Sequence, residues 1–502
     1  MRVIAFYLPQ FHQVDENDRW WGKGYTEWTA VKAGESYFEG HYQPHIPLKQ
    51  NYYNLLDKKT MEWQAELMKK YNVYGMCFYH YYFGDGRKIL EKPAENLLKW
   101  KEIDMPFCFS WANETWARTW SKIAGTNSWD SINETDSNNE NEGILLRQEY
   151  GNQETWENHF KYFLPFFQDE RYIKLEGKPV FLIYKPDDVE CFPQMIEAWD
   201  KMAKQNGFKG IYVVATNPMY SGYDQYLRQE SNFSVQEVRN LPNLPFRCKE
   251  YDDVSQRIVS NALKLRENCY LCGFTGHDST PRRGKRGFAI LNSTPDKFYE
   301  LMKKLLYISE KRNLDYVFVN AWNEWGEGMH LEPDEKFQYG YLDALKRAQE
   351  DYLLLDEKDL PTVEEQEKQG NKIQEAKYKD YMNVYEKWLC IKEKGNNLGY
   401  YFLNHEYQSV AVYGMGKLGE HFVKELESNG ISVPYVIDQN KNIKNVKKPA
   451  YSIGEKMPDA DVIVVMITYD FINIYQKLKM YVNTPIISIK EVLDYVYVNH
   501  LD

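Results

Sequence analysis

Two glutamates, with an asparagine and two tryptophans beside them, are the residues of this sequence with the clearest chemical potential. Glu324 and Glu327 lie three residues apart, among Trp322, Asn323 and Trp325. Cleavage of a glycosidic bond needs one protonated acid to donate to the leaving oxygen and one ionised partner to attack or to take a proton. Indole faces offer a sugar ring an apolar platform. The residue types and their spacing therefore predict a sugar-cleaving site.

A glutamate pair on a solvated surface turn is the competing interpretation of the same residues. Glutamate is mostly exposed in proteins and needs no function to occur on a turn. Here Trp322 and Trp325 lie in the same stretch, and Gly326 and Gly328 allow the backbone to turn sharply. Because large exposed apolar surfaces usually serve binding, this composition favours a binding or catalytic site.

A buried strand precedes the two glutamates and must position them. Residues 316–319 are a β-branched and aromatic run typical of a buried parallel strand. Similar runs, separated by helical segments, recur along the first two thirds of the chain. We predict these strands over residues 2–8, 73–83, 106–111, 179–184, 210–216, 233–237 and 270–274. The alternation predicts an α/β fold whose parallel strands close as a (β/α)8 TIM-type barrel.

Polar and aromatic side chains cluster just after the predicted strands. Barrel enzymes place their chemistry at the carboxyl ends of the strands, so we expect these side chains to line a substrate site. Core packing or a structural ion pair is the alternative for each of them. The candidate substrate-binding residues are Tyr7, His12, Trp28, His80, Trp111, Asn113, Glu114, Tyr184, Arg282, Arg283, Asn323 and Trp325.

Composition and charge exclude some classes of function. The formal net charge of −11 argues against a nucleic-acid surface, which needs a basic stripe. The N-terminal residues resemble a first strand rather than a signal peptide, and no apolar run is long enough for a transmembrane helix. Seven scattered cysteines indicate a reducing compartment, so we expect a cytoplasmic protein. His12, His41 and His45 lack a carboxylate frame, and we expect no metal.

The composition changes after residue 349. Residues 350–404 are rich in Lys and Glu with helical spacing and predict a helical connector. Residues 405–502 predict a small Rossmann-like domain, with a G-x-G-x-x-G turn between a strand and a helix. Gly414, Gly416 and Gly419 would admit a phosphate, and Asp438 beyond the second strand would hold a ribose. Two interpretations stay open: a nucleotide or nucleotide-sugar site, and a scaffold or oligomerisation role.

Several long motifs occur in a fixed order along the first 350 residues. They include A-F-Y-L-P-Q-F-H at 5–12, W-W-G-K-G-Y-T-E-W at 20–28 and N-A-W-N-E-W-G-E-G at 320–328. Shorter matches lie at 41–44, 79–81, 110–114, 177–179 and 282–284. This set resembles the WbsX-type proteins of bacterial surface-polysaccharide clusters, which are also described as glycoside hydrolase family 99-like.

The resemblance implies a (β/α)8 barrel that acts on glycosidic bonds without a required cofactor. Family 99 proper comprises endo-acting α-mannosidases and mannanases, and their two catalytic glutamates lie in an N-E-W-x-E motif that residues 323–327 match. Carried over, Glu324 would be the base that deprotonates the sugar 2-hydroxyl, which then attacks the anomeric carbon from within. Glu327 would be the acid that protonates the leaving oxygen and later activates water.

The roles of the other candidate residues are hypotheses from the chemistry of their side chains. Trp111 and Trp325 would stack on sugar faces, and His80, Asn113, Glu114 and Tyr184 would bond sugar hydroxyls. Arg282 and Arg283 would bind an acidic sugar or a phosphate through their planar guanidinium groups.

Three functions remain open at the level of the sequence. The first is an enzyme of surface-polysaccharide (O-antigen or capsule) metabolism that cleaves or transfers a glycosidic bond of an oligosaccharide or polysaccharide. The second is a WbsX-type glycosyltransferase whose C-terminal domain helps to bind a nucleotide-sugar donor. The third is a non-catalytic glycan-binding protein. The sequence indicates neither the sugar nor the oligomeric state.

Overall fold

The structure is a computed structural model that describes residues 1–117, 144–189, 191–216, 225–228, 247–265, 267–284, 287–362, 378, 380–438, 448–468, 471–479 and 481–499. These residues form two compact units, one through residue 362 and one from residue 378 onwards. We call them the N-terminal unit and the C-terminal unit.

Eight parallel strands form the centre of the N-terminal unit. They are β1 (Arg2–Tyr7), β2 (Gly75–Tyr82), β3 (Phe107–Trp111), β4 (Lys178–Ile183), β5 (Tyr212–Thr216), β6 (Gln225–Arg228), β7 (Cys269–Phe274) and β8 (Tyr316–Asn320). Each strand pairs in parallel with the next one along the chain. The last strand, β8, pairs in parallel with β1, so the path of pairing returns to its start. The predicted α/β class with parallel strands is confirmed.

Helices separate most of these strands in the chain. They are α1 (Asp15–Trp21), α2 (Glu27–Lys32), α3 (Lys58–Lys70), α4 (Lys92–Lys99), α5 (Gln153–Gln168), α6 (Phe192–Gln205), α7 (Tyr251–Ala262), α8 (Thr280–Arg283), α9 (Pro295–Lys311) and α10 (Gly340–Asp351). Two of the longest begin at side-chain caps: Asn152 accepts from the N–H groups of Glu154 and Thr155, and Thr294 accepts from that of Lys297. Such caps satisfy amide donors that a helix start otherwise leaves unpaired.

Predicted and observed strand boundaries agree to within two residues for seven of the eight strands. Their β-branched and aromatic runs are buried on both faces, which is why they lack polar alternation. The strand β6 at Gln225–Arg228 was not predicted, because its polar ends hide the pattern. The predicted strand over 233–237 lies outside the described residues.

The C-terminal unit contains a second parallel sheet. Its strands are β9 (Val410–Tyr413), β10 (Val436–Ile437), β11 (Ala450–Tyr451), β12 (Val462–Val465) and β13 (Ile486–Ser488), in the spatial order β11-β10-β9-β12-β13. Its helices are α11 (380–393), α12 (Gly399–Asn404), α13 (Lys417–Ser428), α14 (Phe471–Lys479) and α15 (Ile489–Asn499).

The helix α11 belongs to the core of the C-terminal unit. Trp388 and Ile391 pack in one apolar cluster with Phe402 and Phe422, and the Trp388 indole donates to Glu425 at 2.7 Å. The sequence predicted a separate connector over residues 350–404. The described end of that segment differs from a solvated helix on one face, which packs in the core of the C-terminal unit, while Tyr378, Met382 and Leu389, elsewhere in the segment, are exposed.

None of the helices in the described part of the chain is both long enough and apolar enough to cross a bilayer.

Candidate active site

A short hairpin after β8 carries both glutamates. Asn323–Glu324 pairs in antiparallel fashion with Met329–His330, and a 3-10 turn over Trp325–Glu327 joins the two. Gly328 ends that turn with a φ of +62°, a conformation that suits glycine. The turn therefore presents the side chains of Glu324 and Glu327 on the same short loop.

Arg282 holds both of these carboxylates and a third one. Its Nη1 donates to Glu327 at 2.6 Å, its Nη2 to Glu324 at 3.1 Å and its Nε to Glu27 at 2.8 Å. The Glu27 side chain is 1% exposed, that of Glu324 9% and that of Glu327 31%. Glu327 is thus the carboxylate of the three with the most access to a substrate.

The short helix α8 positions Arg282. Asp278 accepts from the Thr280 N–H at 2.9 Å at the start of this helix. A second oxygen of Asp278 lies 2.7 Å from His41 Nε2 and accepts from Gln43 at 2.8 Å. These bonds fix α8 to the loop that follows α2, and so they fix the direction of the arginine.

The environments of the two glutamates drive their pKa values apart. Burial raises the pKa of Glu324 to about 8, and the neighbouring carboxylates of Glu327 and Glu27 act in the same direction against the attraction of Arg282. Burial also acts to raise the pKa of Glu327, but Arg282, His277 and Arg283 outweigh it, so that pKa is lowered. At neutral pH Glu324 is protonated and Glu327 is ionised.

These charge states are the reverse of the roles that the family 99 resemblance implies. The resemblance makes Glu324 the base and Glu327 the acid. In the structure Glu324 is the group that has a proton to give, and Glu327 is the group that can take one. The physical reason is position on the turn, since Glu324 is the deeper of the two and Glu327 lies nearer to the positive side chains.

Arg282 uses three of its five N–H donors inside the protein. All three of its nitrogens bond carboxylates of the chain itself, so the structure uses it to position acids. A guanidinium has five N–H groups and these bonds use three of them, so the expected contact of Arg282 with an acidic sugar or a phosphate stays a prediction. Arg283 is exposed on the same helix and contributes positive charge near Glu327.

Trp325 and Asn323 form part of the support beneath the glutamates. The Trp325 side chain is buried, donates to Glu332 at 2.7 Å and stacks on His330 with ring centroids 3.7 Å apart. Asn323 accepts from the Leu8 N–H at 2.7 Å and donates to the Leu8 carbonyl at 3.0 Å. Both residues therefore hold the hairpin in place, and Trp325 has no free face for a sugar, contrary to expectation.

A buried hydrogen-bond layer lies around Glu332. Its carboxylate accepts from four side chains: Tyr53, Gln64, Trp322 and Trp325. Tyr7 donates to Gln64 at 2.8 Å, and the Trp28 indole donates to the Tyr53 carbonyl while its ring lies 5.5 Å from that of Trp325. The predicted residues Tyr7 and Trp28 are thus buried parts of this layer.

Three other predicted residues make their contacts with residues other than Arg282 and the glutamates that it binds. His80 bonds His159 of α5 at 3.1 Å, and burial lowers the pKa of His80 to about 3. Trp111 donates to the Tyr82 carbonyl and its ring packs on His159 at 5.0 Å. Asn113 bonds the backbone of Lys185 through both its amide atoms. The three stabilise the sheet and α5, which contradicts the expected contacts of all three with sugar.

Glu114 lies close enough to Glu327 for the two carboxylates to repel each other, and Tyr184 directly follows β4. Glu114 forms an ion pair with Lys185 at 3.6 Å, and its pKa is raised by burial, with Glu327 contributing repulsion. Tyr184 is half-buried, and its ring centroid lies 6.4 Å from that of Tyr79. His12 is buried, and burial lowers its pKa to about 4, so it is neutral at pH 7. The predicted substrate contacts of these residues stay predictions.

Glu27 bonds Arg282 but was not among the predicted site residues. It lies in the G-Y-T-E-W motif of residues 24–28, but no second acid stands near it in sequence. Only the fold brings it within 2.8 Å of Arg282. The sequence feature that could have pointed to Glu27 is its position within a long motif after β1.

The glycine turn of the C-terminal unit lies between β9 and α13, as predicted. Gly414 has a φ of +91°, and Gly416 precedes the first residue of α13. Asp438 accepts from the Met415 N–H at 2.7 Å, so its carboxylate stabilises the turn itself. The predicted phosphate and ribose contacts stay predictions.

A family model described as glycosyltransferase WbsX matches residues 3–345. Two curated relatives, each called uncharacterized protein WxcX, come from two strains of Xanthomonas campestris pv. campestris and are 30% identical over 366 residues. The match covers 69% of this chain and 49% of each relative, so the chain spans about half the length of the curated relatives it matches.

Part of the chain is also similar to solved structures. The structure of the GH99 endo-alpha-mannosidase from Bacteroides thetaiotaomicron is 13% identical, with a TM-score of 0.43, over 70% of this chain and 98% of that chain. A glycoside hydrolase-like protein is 11% identical, with a TM-score of 0.44, over 69% of this chain and 93% of that chain.

Proposed function

This chain belongs to the WbsX glycosyltransferase family, and we propose that it is a carbohydrate-active enzyme that acts on glycosidic bonds through Glu324 and Glu327. The observation that supports the proposal is the Arg282 guanidinium, which holds both carboxylates while their pKa values diverge. A protonated acid and an ionised carboxylate side by side are what acid–base chemistry at an anomeric carbon requires. The proposed substrate is an oligosaccharide or polysaccharide of bacterial surface-polysaccharide metabolism.

The proposed chemistry follows from the charge states. Glu324 donates its proton to the glycosidic oxygen as the bond from that oxygen to the anomeric carbon breaks. Glu327 takes the proton of the hydroxyl that forms the new bond to the same carbon. In the family 99 scheme that hydroxyl is the sugar's own 2-hydroxyl, and water or an acceptor sugar then opens the strained intermediate. Hydrolysis and transfer differ only in this last attacking group.

We also propose the fold and domains that would support this chemistry. The ring of eight parallel strands is a (β/α)8 TIM-type barrel over residues 1–349, and the glutamates follow the carboxyl end of β8 as in barrel enzymes. The closed path of strand pairing supports this proposal. Residues 405–502 are a Rossmann-like domain, supported by five parallel strands and the glycine turn.

A nucleotide-sugar-dependent glycosyltransferase is the second candidate. The description of the family model favours it. The glycine turn at the start of α13 would take the phosphates of the donor, since amide groups at a helix start attract anions.

Glycan turnover by single variants tests the proposal. The full chain is assayed on α-mannoside oligomers and on a panel of sugar acceptors with nucleotide-sugar donors. We expect turnover in one panel, and we expect Glu324→Gln and Glu327→Gln each to lower it by about 10²–10⁴-fold. Glu350→Gln, an exposed glutamate on α10, is the matched control and keeps wild-type turnover. Glycan binding without any turnover would contradict the proposal and favour a binding protein.

A further inference from the structure

Three side chains apart from the glutamate pair converge on one point of the N-terminal unit. One ligand atom from each of His45, His330 and Asp334 lies within 4.8 Å of the others. We propose that these residues bind a divalent first-row transition ion, with zinc as the best match. Two imidazole nitrogens and one carboxylate oxygen are a common set of protein ligands for zinc.

The orientation of His330 leaves one of its ring nitrogens for a metal. Its Nδ1 lies 2.9 Å from the carbonyl oxygen of Glu332 and must donate there, because a carbonyl only accepts. In the neutral ring Nε2 then carries a lone pair. Histidines that bind metals are commonly held by such a bond from their other nitrogen to a backbone carbonyl. The stacked indole of Trp325 fixes the plane of the same ring.

The other two ligand atoms face that lone pair. Nδ1 of His45 lies 2.9 Å from Nε2 of His330, and Oδ2 of Asp334 lies 3.9 Å from the same nitrogen. Ligands at about 2.0–2.1 Å from a tetrahedral zinc ion are about 3.3 Å apart, and the two observed separations lie on either side of this value. Small side-chain shifts would therefore bring the three atoms to a common ion.

A hydrogen bond between the two histidines is the metal-free alternative. It accounts for the contact between His45 and His330 but does not involve Asp334, whose polar neighbours also include the Tyr42 hydroxyl. Oδ1 of Asp334 accepts from the Phe337 N–H at 2.5 Å, while Oδ2 points toward the histidines and the side chain is 2% exposed. A buried carboxylate oxygen directed at a nitrogen lone pair is stabilised when a cation lies between them.

The ion would stabilise the hairpin that carries the two glutamates. His330 is the residue opposite Asn323 in that hairpin, and His45 belongs to the loop after α2. A Cβ on Gly328 would lie 3.4 Å from Cε1 of His45, so this loop and the hairpin are in contact. The ion is thus assigned a structural role, separate from the proton transfers of Glu324 and Glu327.

Metal content and thermal unfolding test the proposal. The full chain is stripped with a chelator, and zinc or cobalt(II) is returned. We expect about one equivalent of metal per wild-type chain, a higher Tm, and visible cobalt absorption of a site with nitrogen ligands. We expect His45→Gln and Asp334→Asn each to lose the bound metal, the Tm shift and the cobalt spectrum. His421→Gln, an exposed histidine of the C-terminal unit, is the matched control and should retain all three.

Two outcomes would overturn the proposal. One is a wild-type chain that takes up neither metal and shows no Tm shift. The other is wild-type metal content in both His45→Gln and Asp334→Asn. Circular dichroism shows whether each variant is folded. If one variant is not folded, the metal content and Tm shift of the wild type and of the other variant decide whether the proposal stands. Because no readout uses catalysis, failure here is distinct from failure of the proposed enzymatic function.

Discussion

A Cβ atom on Gly326 would lie 1.7 Å from Oε1 of Glu27. The turn between the two glutamates is therefore in direct contact with the pair that Glu27 forms with Arg282, at a distance that only glycine allows. We expect Gly326→Ala to move the turn or the Glu27–Arg282 pair. The free energy of unfolding should fall by about 1–3 kcal/mol, as for other overpacked sites. Denaturant unfolding measures the loss of stability, and steady-state kinetics measures the effect of the moved turn on turnover.

Gly276→Ala is the control for this prediction. A Cβ there would make only ordinary contacts at 3.4 Å, with Gly328 and Ser293. We expect it to leave stability and turnover near wild type. If Gly326→Ala behaved in the same way, the close approach of the turn to Glu27 would not matter in solution.

The protonated state of Glu324 predicts how activity depends on pH. Its pKa of about 8 means that the proton donor is lost as the pH rises through that value, while Glu327 stays ionised. We expect kcat/KM to fall about tenfold per pH unit above that pKa. In Glu324→Gln this fall of kcat/KM above the pKa should vanish for substrates with an activated aryl leaving group, which needs no proton. If kcat/KM still fell with pH in the variant, the pH dependence would belong to another titrating group.

The same pKa predicts a change of stability with pH. The raised pKa means that the folded state holds the Glu324 proton over a range, from about 4.5 to about 8, in which the unfolded chain releases it. The contribution of Glu324 to the free energy of unfolding therefore falls as the pH rises through this range. Because Gln does not titrate, Glu324→Gln should gain stability relative to the wild type between about pH 5 and pH 8. Urea unfolding at several pH values measures the difference.

Removal of Arg282 should cost far more than removal of its neighbour. Arg282→Gln leaves Glu27, Glu324 and Glu327 without their shared cation, and the loss of one partner of a buried pair costs about 3–5 kcal/mol. Arg283→Gln removes an exposed charge and should change stability by less than about 0.5 kcal/mol. Thermal unfolding distinguishes the two. Similar losses of stability in both variants would contradict the conclusion that Arg282 is the shared cation of the three glutamates.

Two glycines of the C-terminal unit offer a matched pair. A Cβ on Gly419 would lie 2.3 Å from the Gly414 carbonyl oxygen, whereas a Cβ on Gly416 would meet nothing within 4 Å. We expect Gly419→Ala to destabilise the unit by about 1–3 kcal/mol and Gly416→Ala to leave it folded.

If phosphates bind at this turn, Gly416→Ala should weaken nucleotide-sugar protection against heat without loss of stability. Equal protection of the variant and the wild type would count against a phosphate site there.

Much of the fold could be predicted because its strands have a strong local pattern. Runs such as 316–319 are apolar on both faces, and a strand of that kind needs covering layers wherever it lies. The strand Gln225–Arg228 escaped prediction because only two of its four residues are apolar. The helix over 380–393 was found, but its burial against the C-terminal sheet was not, since a helix rich in Lys and Glu does not reveal which face is covered.

The sequence by itself determined that Glu324 and Glu327 follow a buried strand and that glycines surround them, because spacing and residue type are local properties. Only the tertiary structure decided that Arg282 and Glu27, 255 residues apart in the chain, meet at those glutamates. It also decided which glutamate keeps its proton and which aromatic residues lie buried beneath the site. Charge states and burial depend on neighbours in space, and the closed path of strands brings together side chains that no local pattern connects.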